Sequence, residues 1–236
     1  MRHLLESSRT GSIWRRLFVF ATAALILFYG GSARADAEAA QGRQEIVILA
    51  FGDSLMAGYQ IPIGKAFPAQ LEAALKAKGY PVRVINSGVS GDTAADALAR
   101  LDWSLNEKID GAIVELGAND ALRGLDPKAT EPSLDEILKA LKARGVELLV
   151  AGFEAPRNWG KDYDDAFRAM YPRLAEKYGA LLYPFFLKDV ATVRTLNLPD
   201  GMHPTPEGVA AVVRNILPEV EKLIARIREK RATSPS

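Results

Sequence analysis

Four short stretches of this chain bring together side chains suited to one kind of chemistry. Gly52-Asp53-Ser54-Leu55 offers a hydroxyl, and Asn86-Ser87-Gly88-Val89-Ser90-Gly91 a glycine-rich turn with backbone N–H donors. Gly117-Ala118-Asn119-Asp120 offers a carboxamide, and Asp200-Gly201-Met202-His203 an imidazole with a carboxylate three residues earlier. Acyl transfer needs such a set: a hydroxyl that attacks, an imidazole that takes its proton, a carboxylate that holds the imidazole, and N–H donors for the oxyanion. Each residue also has a plain reading. Ser54 can cap a helix, Gly88 and Gly91 can serve tight turns, Asn119 can form an Asx turn, and Asp200 can start a turn beside Gly201. Asp53 reads as the residue that orders the turn and the start of the next helix. Their joint occurrence in this order favours the chemical reading over four unrelated turns.

Those loops need elements to position them. Glu45 to Phe51 is an apolar run that stops at Gly52-Asp53, which predicts a buried strand with Ser54 just beyond its carboxyl end. Helical spacing follows over Phe67–Lys78, then a strand over Val82–Ile85, a helix over Asp92–Glu107 and a strand over Ala112–Leu116. Further on come a helix over Ser133–Arg144, a strand over Glu147–Ala151, a helix over Tyr163–Tyr178, a strand over Leu181–Phe185 and a helix over Pro206–Arg228. Such alternation predicts a three-layer α/β/α sandwich on a five-stranded parallel sheet. In such sheets the crevice at the strands' carboxyl ends is where ligands bind, so all four stretches can meet there.

The amino terminus carries Arg15-Arg16, an apolar run over Leu17–Tyr29 and Ala33-Arg34-Ala35, the pattern of a secretory signal over residues 1–35, with an uncleaved anchor as the alternative. A short extension, 36–44, precedes the domain at 45–229, and 230–236 reads as a flexible tail. Without residues 1–35 the chain holds 25 basic and 28 acidic side chains, a net charge of −3. That balance gives no electrostatic footprint for nucleic acid, and the Arg226–Arg231 cluster reads as a solvated helix end. With no cysteine there are no disulfides or thiol nucleophiles, and of the two histidines only His203 lies outside the signal. His203 is therefore the natural base near neutral pH.

Met56 stands where a Gly-x-Ser-x-Gly nucleophile elbow would have its second glycine, which disfavours an ordinary α/β-hydrolase. The chain instead resembles the GDSL, or SGNH, hydrolases, whose four invariant letters fall on Ser54, Gly88, Asn119 and His203. Within them it is most similar to the exported thioesterase I, arylesterase and lysophospholipase subgroup, on Asn119-Asp120-Ala121-Leu122-Arg123-Gly124, Thr130-Glu131 and Asp200-Gly201-Met202-His203-Pro204. Ala118 departs from the glycine more usual there. The resemblance implies strand order 2-1-3-4-5, Ser54 as nucleophile, His203 as base, Asp200 as its orienting carboxylate, and an oxyanion hole from Ser54, Gly88 and Asn119. It also implies a mobile acyl-chain loop with Ala121, Leu122, Arg123, Gly124 and Leu125, and a groove lined by Glu154, Ala155 and Pro156. No metal or organic cofactor is implied. The partner is a small acyl ester, thioester or lysophospholipid met by a periplasmic monomer without a stable membrane anchor after signal cleavage. A carbohydrate O-deacetylase and a non-catalytic envelope-binding protein are the competing readings.

Overall fold

The structure is a computed structural model that describes residues 45–233; the expected signal, the extension 36–44 and residues 234–236 lie outside the described residues. Five strands form one parallel sheet in the order β2-β1-β3-β4-β5. They are β1 (Ile46–Gly52), β2 (Val82–Gly88), β3 (Gly111–Glu115), β4 (Glu147–Ala151) and β5 (Leu181–Tyr183). The order agrees with the expected one, and its switch point lies between β1 and β3.

Both faces of the sheet are covered, and for that reason β1 is nearly all apolar rather than alternating. Ile46, Ile48 and Ala50 face a layer made by α2 (Phe67–Ala77) and α8 (Pro206–Thr233). Leu49 and Phe51 face the other layer, built from α3 (Ala94–Ala99), α4 (Leu101–Ser104), α6 (Pro127–Ala143) and α7 (Lys161–Tyr178). Two one-turn helices, α1 (Ser54–Ala57) and α5 (Ala118–Leu122), follow β1 and β3 directly.

The structure corrects several expected boundaries. The single helix expected over Asp92–Glu107 breaks at Arg100, where φ is −106°. The helix expected from Ser133 begins at Pro127, because Asp126 caps it by accepting from the Lys128 N–H and Pro127 fits the first turn. Pro132 lies inside this helix rather than before it. The expected tail is helical up to Thr233. Cations of the Arg226–Arg231 cluster are hydrogen-bonded: Arg226 donates to the Gly179 carbonyl at the end of α7, and Lys230 to the Gly145 carbonyl just past α6. Arg231 pairs with Asp110 at 2.7 Å. Cations at helix carboxyl ends complement the helix dipole, so the cluster closes the side of the sheet opposite the strands' carboxyl ends.

Strand register aligns Gly88, Gly52, Glu115, Ala151 and Tyr183 in one row across the sheet. The loops that leave this row carry Ser54, the Val89–Asp92 turn and Asn119.

Candidate active site

Asp53, not Ser54, caps the helix after β1. Its Oδ1 accepts from the Leu55 N–H at 3.0 Å, as expected of a turn-ordering residue. The Ser54 hydroxyl is thus left for another partner, and it lies 2.9 Å from His203 Nε2. His203 Nδ1 lies 2.7 Å from Asp200 Oδ2. The tautomer that donates Nδ1–H to Asp200 leaves Nε2 to accept the serine proton.

The loop holding Asp200 and His203 is pinned at both ends. Leu198 N–H donates to the His203 carbonyl, and Thr205 N–H to the Leu196 carbonyl. The Thr205 hydroxyl then caps α8 by accepting from the Gly208 N–H, with Pro206 in the first turn. Asp200 Oδ1 accepts from the N–H groups of Met202 and His203. Partial burial pushes the Asp200 carboxyl up, but those two N–H bonds and the imidazole outweigh it and hold the pKa at about 2. Asp200 is therefore an anion over the whole working range. The Tyr59 ring lies against the imidazole, with centroids 4.3 Å apart.

Asn119 reaches the site because Gly117, at φ +110°, turns the chain sharply out of β3. Its amide donates to Asp53 Oδ2 at 3.1 Å and to the Asp92 carbonyl at 3.0 Å. Gly88 is placed differently from expectation: its N–H donates to Asn86 Oδ1 at 3.0 Å, and its Cα packs against α1 so closely that a Cβ would lie 2.3 Å from the Ala57 nitrogen. It ends β2 as a packing residue. Three residues on, Gly91 has φ +92° and open space on its Cβ side, and among the described residues nothing accepts from its N–H.

Beneath the Ser54 turn lies Glu115, which sequence reasoning passed over as part of a strand. It is fully buried, and neither oxygen has a partner in hydrogen-bonding geometry among the described residues. Burial, then the neighbouring Asp53 charge, raise its pKa well above the usual carboxylate range. Asp53 is also pushed up by burial, to about 6, against its bonds to Leu55 and Asn119 and the nearby imidazole. Burial thus raises both carboxyls of the pair.

A cleft of about 450 Å³ opens beside Ser54 and His203. Its walls are mostly apolar, including Leu122, Phe153, Phe185, Leu187, Ala191 and Met202. Of the expected groove residues, Leu122, Glu154 and Pro156 line it. Ala121 and Ala155 are instead in the core under α5 and β4, since one faces inward from a helix and the other follows a buried strand. Arg123 donates to the Gly91 carbonyl, Gly124 lies under the Trp159 ring, and the Leu125 carbonyl accepts from the Tyr163 hydroxyl. Those three are not among the residues that line the cleft. Of the mobile loop expected over residues 121–126, Ala121 and Leu122 form the end of α5. Phe153, Phe185 and Leu187 were missed; their only signal is apolarity at or just after the end of a predicted strand. Among the described residues no group of three or more His, Asp and Glu side chains is placed to hold a metal ion.

A serine–imidazole–carboxylate relay at the carboxyl edge of a parallel sheet, opening on an apolar cleft, defines a serine hydrolase of acyl compounds. Residues 50–211 match the sequence profile of the GDSL-like Lipase/Acylhydrolase family, and the chain belongs to that family. It is 40% identical over 199 residues to an arylesterase of Vibrio mimicus, covering 84% of this chain and 96% of that protein. It is 36% identical over 178 residues to thioesterase 1/protease 1/lysophospholipase L1 of Escherichia coli (strain K12), covering 75% and 84%. Among solved structures, the SGNH-hydrolase family esterase AlinE4 superposes with a TM-score of 0.65 at 47% identity, over 76% of this chain and 96% of that one.

Proposed function

We propose that this SGNH ester hydrolase acts on carboxylic esters and thioesters of medium to long acyl chains, through an acyl-enzyme on Ser54. The observation that carries this reading is the unbroken line Asp200–His203–Ser54 at the mouth of the apolar cleft. His203 takes the serine proton as Oγ attacks the carbonyl, returns it to the leaving alcohol or thiol, and then activates water for deacylation. Asp200 holds the tautomer and stabilises the imidazolium without itself being protonated.

The oxyanion is stabilised by the backbone N–H groups of Ser54 and Gly91 and by the Asn119 amide. The N–H of Gly88 is already spent on Asn86, whereas Asn119 is bonded to the residue following Gly91. Because both amide protons of Asn119 have acceptors at rest, the oxyanion shares one of them as charge develops.

The arylesterase and thioesterase/lysophospholipase names of the relatives support ester and thioester substrates. The signal pattern over residues 1–35 supports export to the periplasm, and a relay completed within one chain supports action as a monomer. Initial rates of a chain starting at Asp36, on p-nitrophenyl esters from acetate to palmitate, test the substrate class. Activity rising beyond acetate and absent from Ser54→Ala is expected. A profile confined to acetate would replace this reading with a deacetylase, and turnover that survives Ser54→Ala would overturn the mechanism.

A further inference from the structure

At the break between α3 and α4 sits Arg100, a residue that helical periodicity alone leaves without a role. The break turns its side chain inward, where the guanidinium meets acceptors from the end of β1, from β2, from the turn after β2 and from α4. Nη2 donates to the Gly52 carbonyl at 2.9 Å, and Nε to Asp92 Oδ2 at 2.5 Å. Nη1 lies 3.3 Å from Ser87 Oγ and 3.4 Å from Ser104 Oγ. The group also lies over the Phe51 ring, 4.6 Å from its centroid.

Two of these contacts bear on the reacting groups. Gly52 directly precedes Asp53-Ser54, and its carbonyl accepts from both Arg100 and the Val89 N–H, which fixes the Gly52–Asp53 peptide, one residue ahead of Ser54. Asp92 follows Gly91, and its own carbonyl accepts from the Asn119 amide. The geometry points to Arg100 as the positioning residue that clamps the Ser54 turn, the Gly91–Asp92 turn and, through Asp92, Asn119 into one rigid oxyanion site. It touches no reacting atom and acts through those three loops.

Only a planar fork can serve these acceptors together. A lysine ammonium keeps the charge but cannot span Gly52, Asp92 and Ser87 at once. Positioning matters here because a shift of about 1 Å in a catalytic group can cost on the order of 100-fold in rate.

The inference rests on the Ser54 reading, so Ser54→Ala is run beside the clamp variants. The measurement is kcat and KM of Arg100→Lys on p-nitrophenyl butyrate, with active sites counted by titration with a p-nitrophenyl phosphonate. The expected result is a kcat per titrated site lowered roughly 10- to 100-fold, with KM changed less than about threefold. A purely structural role would lower the number of titratable sites and leave kcat per site at the parental value. Asp92→Asn, which keeps the backbone carbonyl and the side-chain shape, is measured in parallel; a loss of about fivefold or more in kcat per site is expected. If Arg100→Lys does not fold, Asp92→Asn decides alone. Parental kcat per site in the folded variants, with Ser54→Ala inactive, would overturn the clamp and leave the serine mechanism standing. Turnover by Ser54→Ala would overturn the mechanism itself.

Discussion

Asp53 and Glu115 share a buried space beneath the nucleophile, and their protonation is coupled to the site above. Burial holds the Asp53 pKa at about 6, and a protonated Asp53 no longer accepts as a carboxylate from Asn119. A bond to a charged group is worth about 1.5 kcal/mol or more, so Asp53→Asn should lower kcat about tenfold at pH 8, a deficit that narrows below pH 6 where the parent loses the same charge. A pH–rate profile of the two proteins checks this. Glu115 makes the opposite case. Its folded pKa is raised, so its contribution to stability is complete below the unfolded value of about 4.3 and is lost as the pH rises toward the folded one. Glu115→Gln has no proton to lose there, so thermal unfolding at several pH values should show the variant gaining on the parent by up to about 1.4 kcal/mol per pH unit. For Asn119→Ala, loss of one oxyanion donor predicts a drop in kcat of roughly 100-fold or more. Ser54 and Asn119 could be singled out in the sequence because polar residues punctuate predicted strand ends, and Asp200 and His203 because they stand just before a predicted helix. Gly88 against Gly91, and the buried Glu115, were not, since hydrogen-bond occupancy and burial of an interior carboxyl leave no mark on residue order.

Elements explain which boundaries could be read. Strands β1, β3 and β4 are buried on both faces, so their apolar runs announce them, and the α/β/α order follows from their alternation with helices. Arg100 and Pro132 misled in opposite directions. Arg100 is a good helix former drawn out of the helix by Gly52 and Asp92, while Pro132 is a helix breaker tolerated inside α6. Likewise Leu122 could be placed in the cleft wall, but Ala121, one residue away, points into the core, a distinction set by α5 and unreadable from a loop assignment. The element that orients His203 is α8, through its first turn. At Gly208 a Cβ would meet the Leu196 carbonyl at 2.0 Å, so Gly208→Ala must push α8 away from the loop carrying Asp200 and His203. A fall in melting temperature on the order of 5–10 °C is expected, by calorimetry, for the roughly 2–3 kcal/mol of overpacking.

For the molecule as a whole, the two ends of the sheet do different work. The carboxyl edge carries the chemistry, and the opposite end is closed by the cations of α8. Asp110 has a side chain only 8% exposed and holds both Arg231 and the Val47 N–H. Removing residues 230–236 leaves that carboxylate without its cation, and such a loss costs several kcal/mol when the pair is buried. Truncation after Glu229 should therefore lower the melting temperature by several degrees, where a flexible tail would leave it unchanged.

The central claim is that Ser54 becomes acylated. Rapid mixing of the enzyme with a p-nitrophenyl ester, followed by acid quench and peptide mass mapping, reads this directly. The expected result is an acyl mass on the peptide that contains Ser54, absent from Ser54→Ala. Hydrolysis at the parental rate with no acyl adduct on that peptide, or an adduct on another residue, would contradict it.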